Sequence, residues 1–189
     1  SRQTFCPGSF MVEELIAKID ENRYALAQAF RDVPDGVICE FGVYEGQSIR
    51  NIAKLIAPRI VYGFDSFEGL PEDWGNRDKK GTFKTEQPQN LPPNVRIIPG
   101  MFADTIPHFF VGKTAALVHI DCDLFSSTMT VLTSVPFATG CIMIFDEITG
   151  DADCTENEGR AFEWYLGHTK RAVECLGRHH RNGAIFRLL

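Results

Sequence analysis

At 189 residues the chain suffices for one domain, which buries about 70% of the surface its unfolded form exposes, and a 44% hydrophobic, 23% charged composition excludes extended disorder. A formal charge of −6, with no long Lys/Arg run, excludes broad electrostatic recognition of nucleic acid. No apolar stretch approaches the roughly 20 residues needed to span a bilayer and no signal-peptide pattern opens the chain, so a soluble cytoplasmic protein is expected.

Residues 1–36 are expected to be an N-terminal helical segment. Apolar positions at Phe10, Leu15, Ile16, Ile19, Ala27 and Phe30 recur at helical spacing until Pro34-Asp35-Gly36 breaks the pattern. Val37–Phe41 then reads as a strand, Ser48–Ile56 as a helix and Ile60–Phe64 as a second strand. The polar stretch 71–93 is too long for an ordinary connection; a lid over a cleft and a crossover with its own short helix are the two readings. Val95–Ile98, Ala115–Ile120 and Cys141–Phe145 follow as strands, with a helix over Ser127–Val135 and a break at Pro136–Gly140. A helix over Arg160–Thr169 leads to Val173–Leu176 and Ala184–Leu189, with Arg178–Arg181 as a polar turn and Asn182-Gly183 as a hairpin signal. Strands alternating with helices and closing on a hairpin predict an α/β fold: a mostly parallel seven-stranded sheet with an antiparallel C-terminal hairpin and helices on both faces.

Glu40, Asp65, Asp121, Asp123, Asp146 and Glu147 all fall at or just past the ends of apolar strands. Open parallel sheets bind ligands outside the carboxyl ends of their strands, so this placement points to a cleft. Glu40-Phe-Gly-Val-Tyr-Glu-Gly-Gln-Ser48 joins a strand to a helix, where Gly42 and Gly46 let backbone approach a ligand and free N–H groups face an anion. Its GxxxG spacing differs from the GxGxxG of dinucleotide sites; a plain strand-to-helix turn is the alternative. Asp65, 19 positions after Gly46, stands where an acid bonds ribose hydroxyls, or else is a solvated loop acid. If the fourth and fifth strands are neighbours, about 4.8 Å apart, Asp121 and Asp146 reach one cation, whose oxygen ligands specify Mg²⁺ or Ca²⁺ before Zn²⁺. Asp123 leaves on the same side and could take a proton from a hydroxyl; helix capping is the alternative for this cluster. Met101 and Phe102 either flank an adenine ring or belong to the core. The six cysteines show no CxxC pairing and read as buried reduced thiols, and neither GxSxG nor an evident basic pocket supports a serine or cysteine nucleophile.

Together the Glu40–Ser48 motif, Gly63-Phe-Asp-Ser-Phe-Glu-Gly-Leu-Pro71, His119-Ile-Asp-Cys-Asp-Leu-Phe-Ser-Ser-Thr128 and Ile144-Phe-Asp-Glu147 resemble the macrocin O-methyltransferase family, over about Val37 to Glu147. The resemblance implies a class I methyltransferase (Rossmann-like) fold and S-adenosyl-L-methionine (AdoMet) as cofactor. It implies Glu40, Gly42, Gly46 and Ser48 on the methionine side, Asp65 with Ser66 at the ribose, Met101 and Phe102 at the adenine, and Asp121 close to the cofactor. It further implies Mg²⁺ on Asp121, Asp146 and Glu147, with Asp123 as general base toward a small-molecule hydroxyl acceptor, a natural-product sugar first. The family usually carries a second aspartate where this chain has Glu147. A non-catalytic AdoMet-binding module and an NAD-dependent oxidoreductase are the rival functions, and homo-oligomerisation is left open.

Overall fold

The computed structural model describes residues 25–150, 155–178 and 180–189. Of the predicted first helix, residues 10–24 lie outside the described residues, as do Cys6, Cys154 and His179; the described part is helix α1 (Ala25–Arg31). Seven strands follow: β1 (Val37–Phe41), β2 (Val61–Asp65), β3 (Val95–Pro99), β4 (Ala115–Ile120), β5 (Phe137–Phe145), β6 (Val173–Arg178) and β7 (Ala184–Leu188). They form one sheet in the order β3-β2-β1-β4-β5-β7-β6. The first five run parallel, and β7 lies antiparallel between β5 and β6. Helices α2 (Gln47–Ile56), α3 (Phe102–Phe109), α4 (Phe125–Ser134) and α5 (Arg160–Thr169) complete the fold, with a π-helical turn at Thr155–Gly159 leading into α5.

The pleat divides the core. Ile38, Leu117, Ile142 and Ile144 face one side, against Phe30 of α1 and Ile49, Ile52 and Ala53 of α2. Cys39, Phe41, Val118, Ile120, Met143 and Phe145 face the other, against Ile106 of α3, Val131 and Leu132 of α4 and Phe162 of α5. Strands buried on both faces read as continuous apolar runs, which is why β4 and β5 were legible from sequence. By the same alternation Glu40 and His119, register partners on β1 and β4, interrupt the side that α1 and α2 cover.

One expectation is corrected, and one helix was not anticipated. The break expected at Pro136–Gly140 is mostly strand: β5 starts at Phe137, which pairs with Ala115 and packs edge-on against Tyr165 at 5.9 Å. The register shifts between Ala115 and Leu117, and Gly140 (φ +80°) supplies the left-handed residue that such a bulge needs. Helix α3 was not anticipated because Pro107 lies inside it, where proline ordinarily ends a helix. Tertiary packing outweighs that cost: Ile106 is fully buried and Phe109 packs against Tyr62 and Phe64 at 4.7 and 5.1 Å.

The 71–93 stretch is irregular but stitched down. The Leu70 amide donates to the Thr82 carbonyl at 2.8 Å, Gly81 donates to the Leu70 carbonyl, and Trp74 donates to Asp78. Trp74 is 2% exposed and packs with Leu70 and Leu124 in a small core of its own. Among the described residues, none of the helices is long and apolar enough to cross a membrane.

Candidate active site

The strand order reverses between β1 and β4, and a cleft opens at the carboxyl ends of β1 to β4, the position the acids marked in sequence. Its walls include Gly42 and Tyr44 after β1, Asp65, Ser66, Gly69 and Leu70 after β2, Met101 and Phe102 after β3, and Asp121, Cys122 and Asp123 after β4. Pro71 and Phe83, from the start and the middle of the 71–93 segment, close one flank.

Of the residues assigned to a cofactor, Gly42, Asp65, Ser66, Met101, Phe102 and Asp121 line this cleft, whereas Glu40, Gly46 and Ser48 are not among its walls. A Cβ on Gly42 would stand 1.8 Å from the Asp121 carbonyl oxygen, so glycine there is required by the contact between two strand ends. Gly46 (φ +80°) precedes α2, beneath Arg50 and Pro88, while Arg50 bonds the carbonyls of Glu45, Gly46 and Gln89. Asp65 grips the turn: Oδ2 accepts from the Val43 and Tyr44 amides at 2.8 Å each, and Oδ1 from Phe67 at 2.7 Å. A ribose hydroxyl would share that carboxylate with three backbone donors. Met101 is exposed beside the start of α3, and Phe102 meets Phe41 edge-on at 5.5 Å.

Glu40 is buried completely. Its Oε1 meets His119 Nδ1 at 2.8 Å and its Oε2 has no hydrogen-bond partner. His119 Nε2 stands 3.8 Å from Asp146 Oδ1, a separation of ion pairs, and His180 Nε2 reaches the same oxygen at 3.1 Å. Burial disfavours charge on His119, but Asp146 and Glu40 outweigh it and raise the imidazole well above its ordinary value. The same contacts overcome burial at Asp146 and hold its carboxyl well below the usual range.

Asp121 and Asp146 stand on adjacent strand ends, tied by the amide bonds Asp121 to Phe41 and Asp146 to Ile120 at 3.0 Å each. Burial raises Asp121, with Asp146 and Asp123 adding to the rise and His119 opposing it. Asp123 is raised to about 7, first by burial and then by the Glu147 charge, against the pull of Arg77. Glu147 Oε2 takes Arg77 at 3.2 Å. The carboxylate donors suit a hard divalent cation. Among the described residues, however, no three ligating side chains converge on one point, so Asp146 and Glu147 would exchange His180 and Arg77 for an ion.

Sequence reasoning missed several participants. Tyr44 and Phe83 form an exposed edge-on pair, 5.7 Å apart, at the cleft wall. Tyr44 (φ +49°), Phe83 (φ +67°) and Asp123 (φ +61°) all hold left-handed backbone, a cost that clusters at functional sites. No local signal announces such strain. Arg77 stacks 4.2 Å over Trp74, and Glu72 bonds Ser126, so the 71–93 segment reaches the acids from the flank. Cys122 lines the cleft, but burial raises its thiol, and the nearby Glu158 and Asp121 carboxylates raise it further, which disfavours a thiolate nucleophile.

Comparisons with known proteins agree with this architecture. The family described as macrocin O-methyltransferase (TylF) matches residues 89–163. A tetracenomycin-type 4'-O-methyltransferase of Streptomyces olivaceus, named for an 8-demethyl-8-(2,3-dimethoxy-alpha-L-rhamnosyl)-tetracenomycin C substrate, is 28% identical over 72% of this chain. The chain spans 62% of that relative's length. Among solved structures, the calicheamicin methyltransferase CalS11 superposes with a TM-score of 0.69 at 24% identity, over 95% of this chain and 80% of its own. The O-methyltransferase NovP gives 0.66 at 24% identity, over 87% and 78%. The fold is therefore that of class I O-methyltransferases, and the similarity of this sequence to the macrocin O-methyltransferase family is borne out by the family match across its β4–β5 acid motifs.

Proposed function

We propose that the protein is an AdoMet-dependent O-methyltransferase that, with Mg²⁺ bound, methylates a hydroxyl of a small molecule, most directly a sugar of a natural product. The observation that carries this reading is the place of Asp123: a half-buried acid raised to about 7, in the same cleft wall as Gly42, Asp65, Met101 and Phe102. An acid with a pKa near the working pH is suited to accept a proton and release it again. The sugar O-methyltransferase named among the relatives supports the acceptor class.

The chemistry of the residues present fits AdoMet, and fits Mg²⁺ once Asp146 and Glu147 exchange His180 and Arg77 for the ion. Asp65 offers carboxylate oxygens to hydroxyls and Met101 and Phe102 offer apolar surface to a planar base in the cleft wall; Asp121 of that wall and Asp146 and Glu147 at the neighbouring end of β5 are the oxygen donors that would hold Mg²⁺. When bound, AdoMet supplies a methyl already activated on a sulfonium, and Mg²⁺ lowers the pKa of an acceptor hydroxyl. What remains for the chain is orientation, proton removal and exclusion of water. Asp123 receives the hydroxyl proton on its carboxylate. His119 stands between Glu40 and Asp146, whose carboxylates favour its protonated form against burial and so offset the acids at the strand ends. Leu70, Pro71 and Phe83 cover the flank with apolar surface and keep water from it.

Incubation with methyl-labelled AdoMet and a panel of hydroxylated glycosides, phenols and nucleotide sugars tests the reading. Label appearing in an acceptor, dependent on Asp123, is expected; a protein that binds AdoMet but labels nothing across the panel favours a non-catalytic module.

A further inference from the structure

Asp121 and Asp123 follow β4 and Asp146 and Glu147 follow β5, so any chemistry using both pairs depends on how the two loops are spaced. One side chain bridges them. Glu158 is 1% exposed, and its Oε1 accepts from the Cys122 amide at 3.0 Å while its Oε2 accepts from the Glu147 amide at 3.2 Å. Cys122 separates the two aspartates of the first loop, and Glu147 is the second acid of the other. The adjacent Asn157 Oδ1 takes the Phe125 amide at 2.9 Å, which fixes the start of α4 directly after the first loop. Both residues lie in the π-helical turn Thr155–Gly159, and such turns recur at functional sites.

Burial, and then the neighbouring Asp121, raise the Glu158 carboxyl well above its ordinary value, and the two loop amides oppose that rise while each satisfies one of its oxygens. We propose that Glu158 is a positioning residue that clamps the β4 and β5 acid loops at a fixed separation. Resting on the methyltransferase reading, this assigns Glu158 to hold Asp121 and Asp123 in register with Asp146 and Glu147, without touching substrate itself. Only a side chain with two acceptor oxygens can hold both amides. Glutamine keeps the shape and offers one acceptor, and alanine offers none.

Amide hydrogen exchange on uniformly ¹⁵N-labelled protein reads the clamp directly. In Glu158→Ala the Cys122 and Glu147 amides should both exchange about 10- to 100-fold faster, the range expected for loss of a buried bond. In Glu158→Gln only one of the two should do so. Val118 and Met143, at the centre of β4 and β5, should keep wild-type rates in Glu158→Gln, which also serves if the alanine variant does not fold. Unchanged exchange at both loop amides in Glu158→Gln, or an equal rise at Val118 and Met143, would overturn the proposal. AdoMet titration of the same samples separates the two ideas: if wild type binds none while the loop amides respond as expected, the clamp stands and the methyltransferase reading falls.

Discussion

Asp123→Asn tests whether the fold holds an acid against its ordinary ionisation. Burial, then Glu147, raises the carboxyl from 3.8 to about 7. At about 1.36 kcal/mol per pKa unit this is at most about 4 kcal/mol, a ceiling because Asp123 keeps some solvent contact. Because the folded-state value lies above the unfolded one, the native state keeps the proton longer. Its stabilising effect is full below about pH 4 and is lost as the pH climbs toward 7. Wild type should therefore lose up to about 3 kcal/mol between pH 5 and pH 8 that the asparagine variant, which never ionises, retains. Urea unfolding of both proteins in EDTA at pH 5, 6, 7 and 8 reads the difference. Stability curves that run parallel across this range would refute the assigned environment of Asp123. The same variant should lose turnover while AdoMet affinity stays nearly unchanged, and an equal loss of both would remove Asp123 as the base.

Gly42→Ala should destabilise the protein by more than about 3 kcal/mol, measured by urea unfolding, since the new Cβ would sit 1.8 Å from the Asp121 carbonyl at φ +90°; a near-neutral result would mean that the strand ends are not in contact. Asp65→Asn replaces one acceptor oxygen with a donor facing backbone amides and should cost about 1–3 kcal/mol together with AdoMet affinity; an unaltered affinity by calorimetry would place the ribose elsewhere. Trp74→Ala should cost about 3–5 kcal/mol, because Trp74 is the buried centre of the Leu70–Leu124 cluster; a loss below 1 kcal/mol by the same unfolding assay would mean that the 71–93 segment is not packed on it. Arg77→Gln should tighten Mg²⁺ binding severalfold by freeing Glu147 from its 3.2 Å partner, and weaker binding in a Mg²⁺ titration would show that Arg77 supports the site.

The central strands were legible because β1, β4 and the end of β5 are buried on both faces and read as apolar runs, and the acids were legible because they punctuate those runs. What sequence could not show is which acids are already engaged. Glu40, which the family resemblance assigns to the methionine side, has one oxygen on His119 of the neighbouring strand and the other without a hydrogen-bond partner. Asp65 reads as a ribose acid, yet three amides of the turn it supports reach it first. The GxxxG motif was read as a close approach to a ligand, and at Gly42 the group that approaches is the backbone of Asp121. Long-range pairing was invisible from any local window: Arg77 on Glu147 spans 70 positions and Glu158 on Cys122 spans 36. Helix α3 and the start of β5 were hidden by Pro107 and Pro136, residues whose local cost is overcome only by packing seen in three dimensions.

Calorimetric titration of AdoMet into the protein, in Mg²⁺ and again in EDTA with NADH as the control ligand, tests the central claim most directly. The account predicts saturable one-site AdoMet binding in both conditions, no NADH binding, and heat from Mg²⁺ that disappears in Asp121→Asn. NADH binding in place of AdoMet, or binding of neither, would contradict it.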